Sequence, residues 1–396
     1  MKEQQGELSE LVSVIIPCYN IADSIEKLSA VFNQTYTNLE LVLVDDCSED
    51  DSWQKIQAFK QEHSDKNIVI CRNDCILGIG PTRNRGVALS SGSAVYFMDA
   101  DDELEPDLVE KMLGKLRQDQ ADFVHCGYSS HCGNTVRNYS IDKELLEATD
   151  ITELKKLAFQ FNSAPWDKLV ARDFIEQFGI EYPALYSGQD QCWSIQLVLN
   201  ARKISFVNEI LYHQLSDNSL SVSCNEKQVQ SLFDLLEFDY QYIKEHVQEP
   251  DVSSVLLTRW QMYALEHILS LYDRLAIPLQ KQLALLSRDY FQQHGIDLKG
   301  QNLSFSYIFP VYRFVPKIQN FQKLRARLKY NNKLYSLMRK LSAIINIVEL
   351  VTKEEEAKAK KAAKAAERQN SSKSWLGLCA TGLRPDRAGV AYLPNM

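Results

Sequence analysis

Three carboxylates, Asp99, Asp101 and Asp102, follow directly on the apolar run Ala94-Val-Tyr-Phe-Met98. A short apolar run bounded by charge reads as the interior strand of an α/β sheet. Ligands of open α/β sheets bind beyond the carboxyl ends of the strands. Two carboxylates at i and i+2 on such an edge suit a hard divalent cation, Mn2+ or Mg2+, which takes oxygen ligands and completes its shell with substrate phosphates. The plainer alternative is an acidic surface turn that caps a helix near Pro106. The rest of the first half weighs against it.

The elements that must position these carboxylates are legible in order. Leu11–Ile16 is a β-branched run closed by Pro17, and Leu39–Val44 is a second strand ending at Asp45-Asp46. Ile68–Cys71 and Val95–Met98 read as the third and fourth strands. Between them, helical spacing predicts helices over Ala22–Phe32, Asp51–His63, Pro81–Leu89 and Glu105–Arg117, with Pro81 in a first turn. Alternation at this spacing indicates a mainly parallel sheet covered on both faces. Tyr19-Asn20, Asp45-Asp46 and Asp99–Asp102 then converge on one edge. A chance surface turn would be needed three times in register.

Other motifs carry less. Gly78, Gly80 and Gly86 do not have the Gly-x-Gly-x-x-Gly spacing, and no Lys-Ser/Thr follows as in a phosphate loop. The His125-Cys126 and His131-Cys132 pairs match no usual zinc spacing. Asp190 precedes the apolar stripe around Cys192 and Trp193, where a lone aspartate would be read as a helix cap.

Taken together, the strings resemble an inverting family 2 glycosyltransferase of GT-A fold, of the bacterial surface-polysaccharide type. They are Ser13-Val-Ile-Ile-Pro-Cys-Tyr-Asn20, Asn33-Gln-Thr-Tyr36, Leu43-Val-Asp-Asp-Cys-Ser-Glu-Asp-Asp-Ser52 and Pro81-Thr-Arg-Asn-Arg-Gly86. Phe97-Met-Asp-Ala-Asp-Asp102, Trp166-Asp-Lys-Leu169 and Gly188-Gln-Asp190 complete the set. The resemblance covers about residues 10–225. It implies a Rossmann-like mixed sheet flanked by helices, with a mainly helical C-terminal region. It also implies a nucleotide-diphospho-sugar donor, UDP-linked, and a glycan or lipid-linked acceptor. In that pattern Pro17, Tyr19 and Asp46 hold the base, Arg83 meets the base or diphosphate, and Asp99 contacts the ribose or the metal. Asp101 ligates Mn2+ or Mg2+, and Asp190 is the catalytic base. Trp166 and Lys168 support the acceptor side, and His213 contacts the diphosphate or the metal; ordinary core and surface roles suit these three as well.

Two departures stand out. Gln189 replaces the Glu that often precedes the base, which keeps open a catalytically degenerate nucleotide- or glycan-binding module partnering an active transferase. Cys47 replaces a common Gly, so its turn must avoid or tolerate a positive φ.

At 396 residues, 45% hydrophobic, the chain is long enough for two or three domains. We expect a catalytic domain over 1–225, a helical basic-aromatic region over 226–350, and a charged helix or tether with a disordered tail over 351–396. A net charge of −8 argues against a dedicated nucleic-acid partner. Residues 1–10 are polar, no apolar run is of membrane-spanning length, and the nine cysteines form no Cys-x-x-Cys pair. These features predict a cytoplasmic location. Between Lys299 and Val348 stand ten Lys or Arg and no Asp or Glu, interleaved with aromatics. That pattern suits peripheral contact with the inner face of a membrane. A basic helical face docked on an acidic catalytic domain suits it too.

Overall fold

In this computed structural model, residues 10–215, 225–272 and 274–295 are described, with 360, 384–385 and 391–392. The basic-aromatic stretch 299–348 lies outside the described residues.

β1 (Val12–Cys18) and β2 (Leu39–Asp45) are apolar on both faces because both faces are covered by helices, so they read as continuous runs rather than alternation. They pair in parallel, and β3 (Ile68–Arg72) and β4 (Ala94–Phe97) extend the same parallel set in the order β3-β2-β1-β4. Helices α1 (Ser52–Glu62) and α2 (Ile79–Leu89) fall close to their expected ranges. α2 approaches β1 through Gly86, where a Cβ would stand 2.3 Å from Ile15 Cγ2. Only glycine allows that approach.

Two local expectations are corrected. Ile25–Asn33 is a 3-10 helix, not an α-helix; Ser24 provides no side-chain cap, and the flanks are tied down by Ala22 N to Asp50 and Thr35 N to Pro106 O. The helix expected from Glu105 begins later. Glu103–Leu104 is a short strand, β5, before α3 (Leu108–Asp119).

The sheet is also mixed rather than mainly parallel. β6 (Phe123–Cys132), with the exposed strand β7 (Thr135–Tyr139) beside it, leads through α4 (Lys143–Glu147) and α5 (Ile151–Lys156) to β8 (Lys168–Ala171). After α6 (Arg172–Phe178) and α7 (Gln189–Asn200) comes β9 (Ile204–Leu215). β8 is antiparallel to both β4 and β6, β6 is parallel to β9, and β5 closes antiparallel on β9. The path is β3-β2-β1-β4-β8-β6-β9-β5.

The chain divides into two compact units, Met1–Leu271 and Tyr272–Met396. In the first, α8 (Glu226–His246) holds the turn before α7 through Ser231 and Ser187, and α7 itself through Tyr242 and Asn200. α9 (Pro250–Tyr272) reaches α8 through Trp260 Nε1 and Leu236 O, 2.9 Å apart. In the second unit, α10 (Ile277–Gln293) is a further helix. Within the stretch expected to be disordered, Arg384–Pro385 pairs antiparallel with Ala391–Tyr392.

Candidate active site

Parallel pairing brings the carboxyl ends of β1, β2 and β4 to one edge, each delivering its polar turn there. After β1, Pro17 is half-buried and Tyr19 is 44% exposed. Asn20 follows at φ +53°, its N–H donating to Ser48 Oγ and its Oδ1 accepting from Glu49 N. The turns after β1 and β2 are thereby stitched together. Cys47 tolerates the positive φ that its turn requires, at +60°.

Asp46 is buried and already engaged. Its carboxylate accepts from Asn73 Nδ2 at 2.7 Å, Leu77 N at 2.9 Å and Gly78 N at 2.8 Å. It therefore pins the loop leading into α2, leaving Ile76, Leu77 and Ile79 exposed.

Beyond β4, Asp99 is 30% exposed, and its N–H donates to the Tyr212 hydroxyl at 3.3 Å. Asp101 is exposed; the protein beneath it and then the Asp99 charge raise its carboxyl above the usual range. Asp102 is buried, accepting from the Tyr212 hydroxyl and from Leu215 N at 2.7 Å. Burial pushes it up to about 7.

Asp190 arrives from the other side, in the first turn of α7 and 33% exposed. The cap is Gly188 at φ +87°, packed so tightly on Leu235 that a Cβ would meet it at 2.9 Å. Asp190 therefore sits inside the helix and does not cap it. Its position at a helix N-terminus favours the charged form. Even so, burial raises its carboxyl, with Arg83 opposing and Asp99 reinforcing.

Arg83 joins the two sides. Its Nη1 donates to Asp190 Oδ1 at 2.6 Å and its Nη2 to Asp99 Oδ1 at 3.0 Å, across 107 and 16 residues of sequence. The side chain is 1% exposed, so it stands beneath the cleft.

The remaining candidates are placed differently from expectation. Lys168 is fully buried and spends its ammonium on Asp167, Asn162 O and Ala164 O, so it faces no acceptor. Trp166 is buried against Tyr212 and Tyr128 and lines no open surface. His213 has both ring nitrogens engaged, Nε2 with Glu105 and Nδ1 with Ser129 Oγ. Tyr212, next to the candidate His213, ties Asp99 to Asp102. Sequence reasoning missed Tyr182, which carries the Arg83 guanidinium 5.4 Å above its ring and belongs to no polar cluster that would mark it.

Among the described residues no group of three or more His, Cys, Asp or Glu could hold a metal ion. Asp99 and Asp101 offer two carboxylates, an oxygen-only set that fits a cation taking its other ligands from phosphates and water.

Comparison with known proteins places part of this chain in a family. The Glycosyl transferase family 2 profile matches residues 13–173. Those residues are a family 2 glycosyltransferase domain. EpsH of Bacillus subtilis is 29% identical to this chain over 209 residues, 51% of this chain and 60% of EpsH. The glycosyltransferase GlyG of Streptococcus pneumoniae is 26% identical over 52% of this chain and 70% of its own length. The chain thus spans less than two thirds of EpsH. A crystal structure of S. aureus TarS with UDP-GlcNAc aligns at TM-score 0.58 and 21% identity, covering 71% of this chain and 80% of that one. The glycosyltransferase domain therefore has the GT-A fold, and the edge holding Asp99 and Asp190 lies in or beside it. Among the described residues, no helix is long and apolar enough to cross a membrane.

Proposed function

We propose that this chain moves a sugar from a nucleotide-diphospho-sugar, UDP-linked, to a hydroxyl of a glycan or lipid-linked acceptor in surface polysaccharide synthesis, inverting the anomeric carbon. The observation that carries the reading is the meeting of Asp190 with Asp99 across one guanidinium. A base for the acceptor and a carboxylate for the donor thereby share one cleft.

Pro17, Tyr19 and the turn held by Asp46 border the base of the donor. Asp99 and Asp101 would hold Mn2+ or Mg2+, which supplies Lewis-acid stabilisation of the departing diphosphate, on the order of several kcal/mol. Asp190 takes the acceptor proton as the hydroxyl attacks, a contribution of ~10²–10⁴-fold. Its raised carboxyl makes it a stronger base than an ordinary aspartate. Attack from the face opposite the leaving group needs no covalent intermediate, hence inversion. The UDP-GlcNAc bound by TarS and the GDP-Man and Mn2+ bound by a Pyrobaculum calidifontis mannosyltransferase support the donor class and the cation. Residues 1–225 are the proposed catalytic part, and the basic stretch 299–348 the proposed contact with the cytoplasmic membrane surface.

The test is release of nucleoside diphosphate from a panel of nucleotide sugars, with Mn2+, Mg2+ or EDTA and glycan acceptors. Metal-dependent release from one donor is expected. Binding without turnover favours the degenerate module, and no nucleotide binding overturns the reading.

A further inference from the structure

Arg83 is an uncommon residue to bury beside a catalytic cleft. A guanidinium out of water is costly unless paired, and two carboxylates pair it. Its aromatic support is equally specific. Tyr182 lies under the guanidinium, stacks on Trp193 with centroids 5.1 Å apart and 5° between planes, and meets Phe97 edge-on at 5.6 Å. Arg83 Nε is buried without a hydrogen-bond partner, so the cation is held by its two terminal nitrogens and the ring. Each carboxylate uses only Oδ1 in this link, leaving Oδ2 of Asp190 and of Asp99 outside it.

We infer that Arg83 is a positioning residue that acts through Asp190, fixing one carboxylate oxygen so that the other faces the acceptor, with Tyr182 as the floor that fixes Arg83. The inference rests on the reading of Asp190 as the base. It gives Arg83 a task other than holding the donor. A planar fork bonds two carboxylates from two elements at once, the end of β4 and the first turn of α7. A lysine ammonium has no such fork. The reach of the base is thereby set from the donor side of the cleft, at the scale where about 1 Å of misplacement costs ~10²-fold in rate.

The experiment compares wild type with Arg83→Lys, Tyr182→Leu and Tyr182→Phe. It measures kcat and donor KM by diphosphate release, and UDP affinity by calorimetry. Arg83→Lys is expected to lower kcat by ~10–10²-fold while donor KM and UDP affinity move less than about threefold. Tyr182→Leu lowers kcat in the same sense, and the conservative Tyr182→Phe recovers most of that loss because the ring remains. A Lys variant that loses UDP affinity about tenfold at unchanged kcat makes Arg83 a donor contact and overturns the inference. Equal kcat in Tyr182→Leu and wild type also overturns it. UDP affinity is read without turnover, so an inactive wild type counts against the base reading, while the affinity series still judges Arg83.

Discussion

Trp166 and Tyr212 stack face to face, with centroids 4.4 Å apart and 4° between planes. The stack fixes the phenol so that its hydroxyl donates to Asp102 and receives the Asp99 N–H. One aromatic pair in the core thus sets the turn that carries Asp99, Asp101 and Asp102. Tyr212→Phe keeps the stack and removes the hydroxyl, leaving Asp102 buried with the Leu215 N–H. It is expected to destabilise the fold by about 1–3 kcal/mol, seen as a lower Tm by calorimetry. An unchanged Tm would mean the hydroxyl does not support the turn.

Gly86 lets α2 lie against β1 at Ile15. Gly86→Ala forces the helix outward and is expected to cost about 1–3 kcal/mol. Ile15→Ala in the same chain removes the colliding Cγ2, so the two substitutions together destabilise less than their sum. Additive losses in denaturant titrations would contradict the contact.

Much of this was open to reading from sequence, and the reasons differ by element. β1, β2 and β4 announce themselves because strands covered on both faces are uninterrupted apolar runs. Their acidic ends, Asp46 and Asp99–Asp102, follow from parallel alternation alone. β6 was not legible as a strand. β6, Phe-Val-His-Cys-Gly-Tyr-Ser-Ser-His-Cys, buries polar residues against partners far along the chain. Lys168 looked like a surface cation because its three acceptors form only when Asn162–Asp167 folds around it. Arg83 stood in a recognisable motif, but its partners Asp99 and Asp190 meet only in three dimensions.

Asp46 pins the loop before α2 through the Leu77 and Gly78 N–H groups. Asp46→Ala orphans both, and is expected to speed limited proteolysis within 74–79 and weaken UDP binding by ~10-fold, about 1.4 kcal/mol. Unchanged cleavage with unchanged UDP affinity would contradict its role as the loop's anchor.

Asp239 on α8 is wholly buried, and burial raises its carboxyl well above the usual range, with Gln191 opposing. A raised folded-state value means stability is full below the unfolded-chain value of ~4 and is lost as pH climbs toward the folded one. Asp239→Asn mimics the neutral acid. It is expected to raise Tm at pH 8, by about 2–4 °C per kcal/mol recovered, with the gain vanishing near pH 4. A gain of equal size at both pH values would contradict this linkage.

In the proposed reaction Asp190 removes the acceptor proton in a cleft that binds the donor without it. The direct measurement is turnover of wild type against Asp190→Asn at saturating donor, with UDP affinity determined on both proteins. A loss in kcat of ~10²–10⁴-fold at nearly constant UDP affinity is expected. Turnover within a few-fold of wild type would show that the base lies elsewhere.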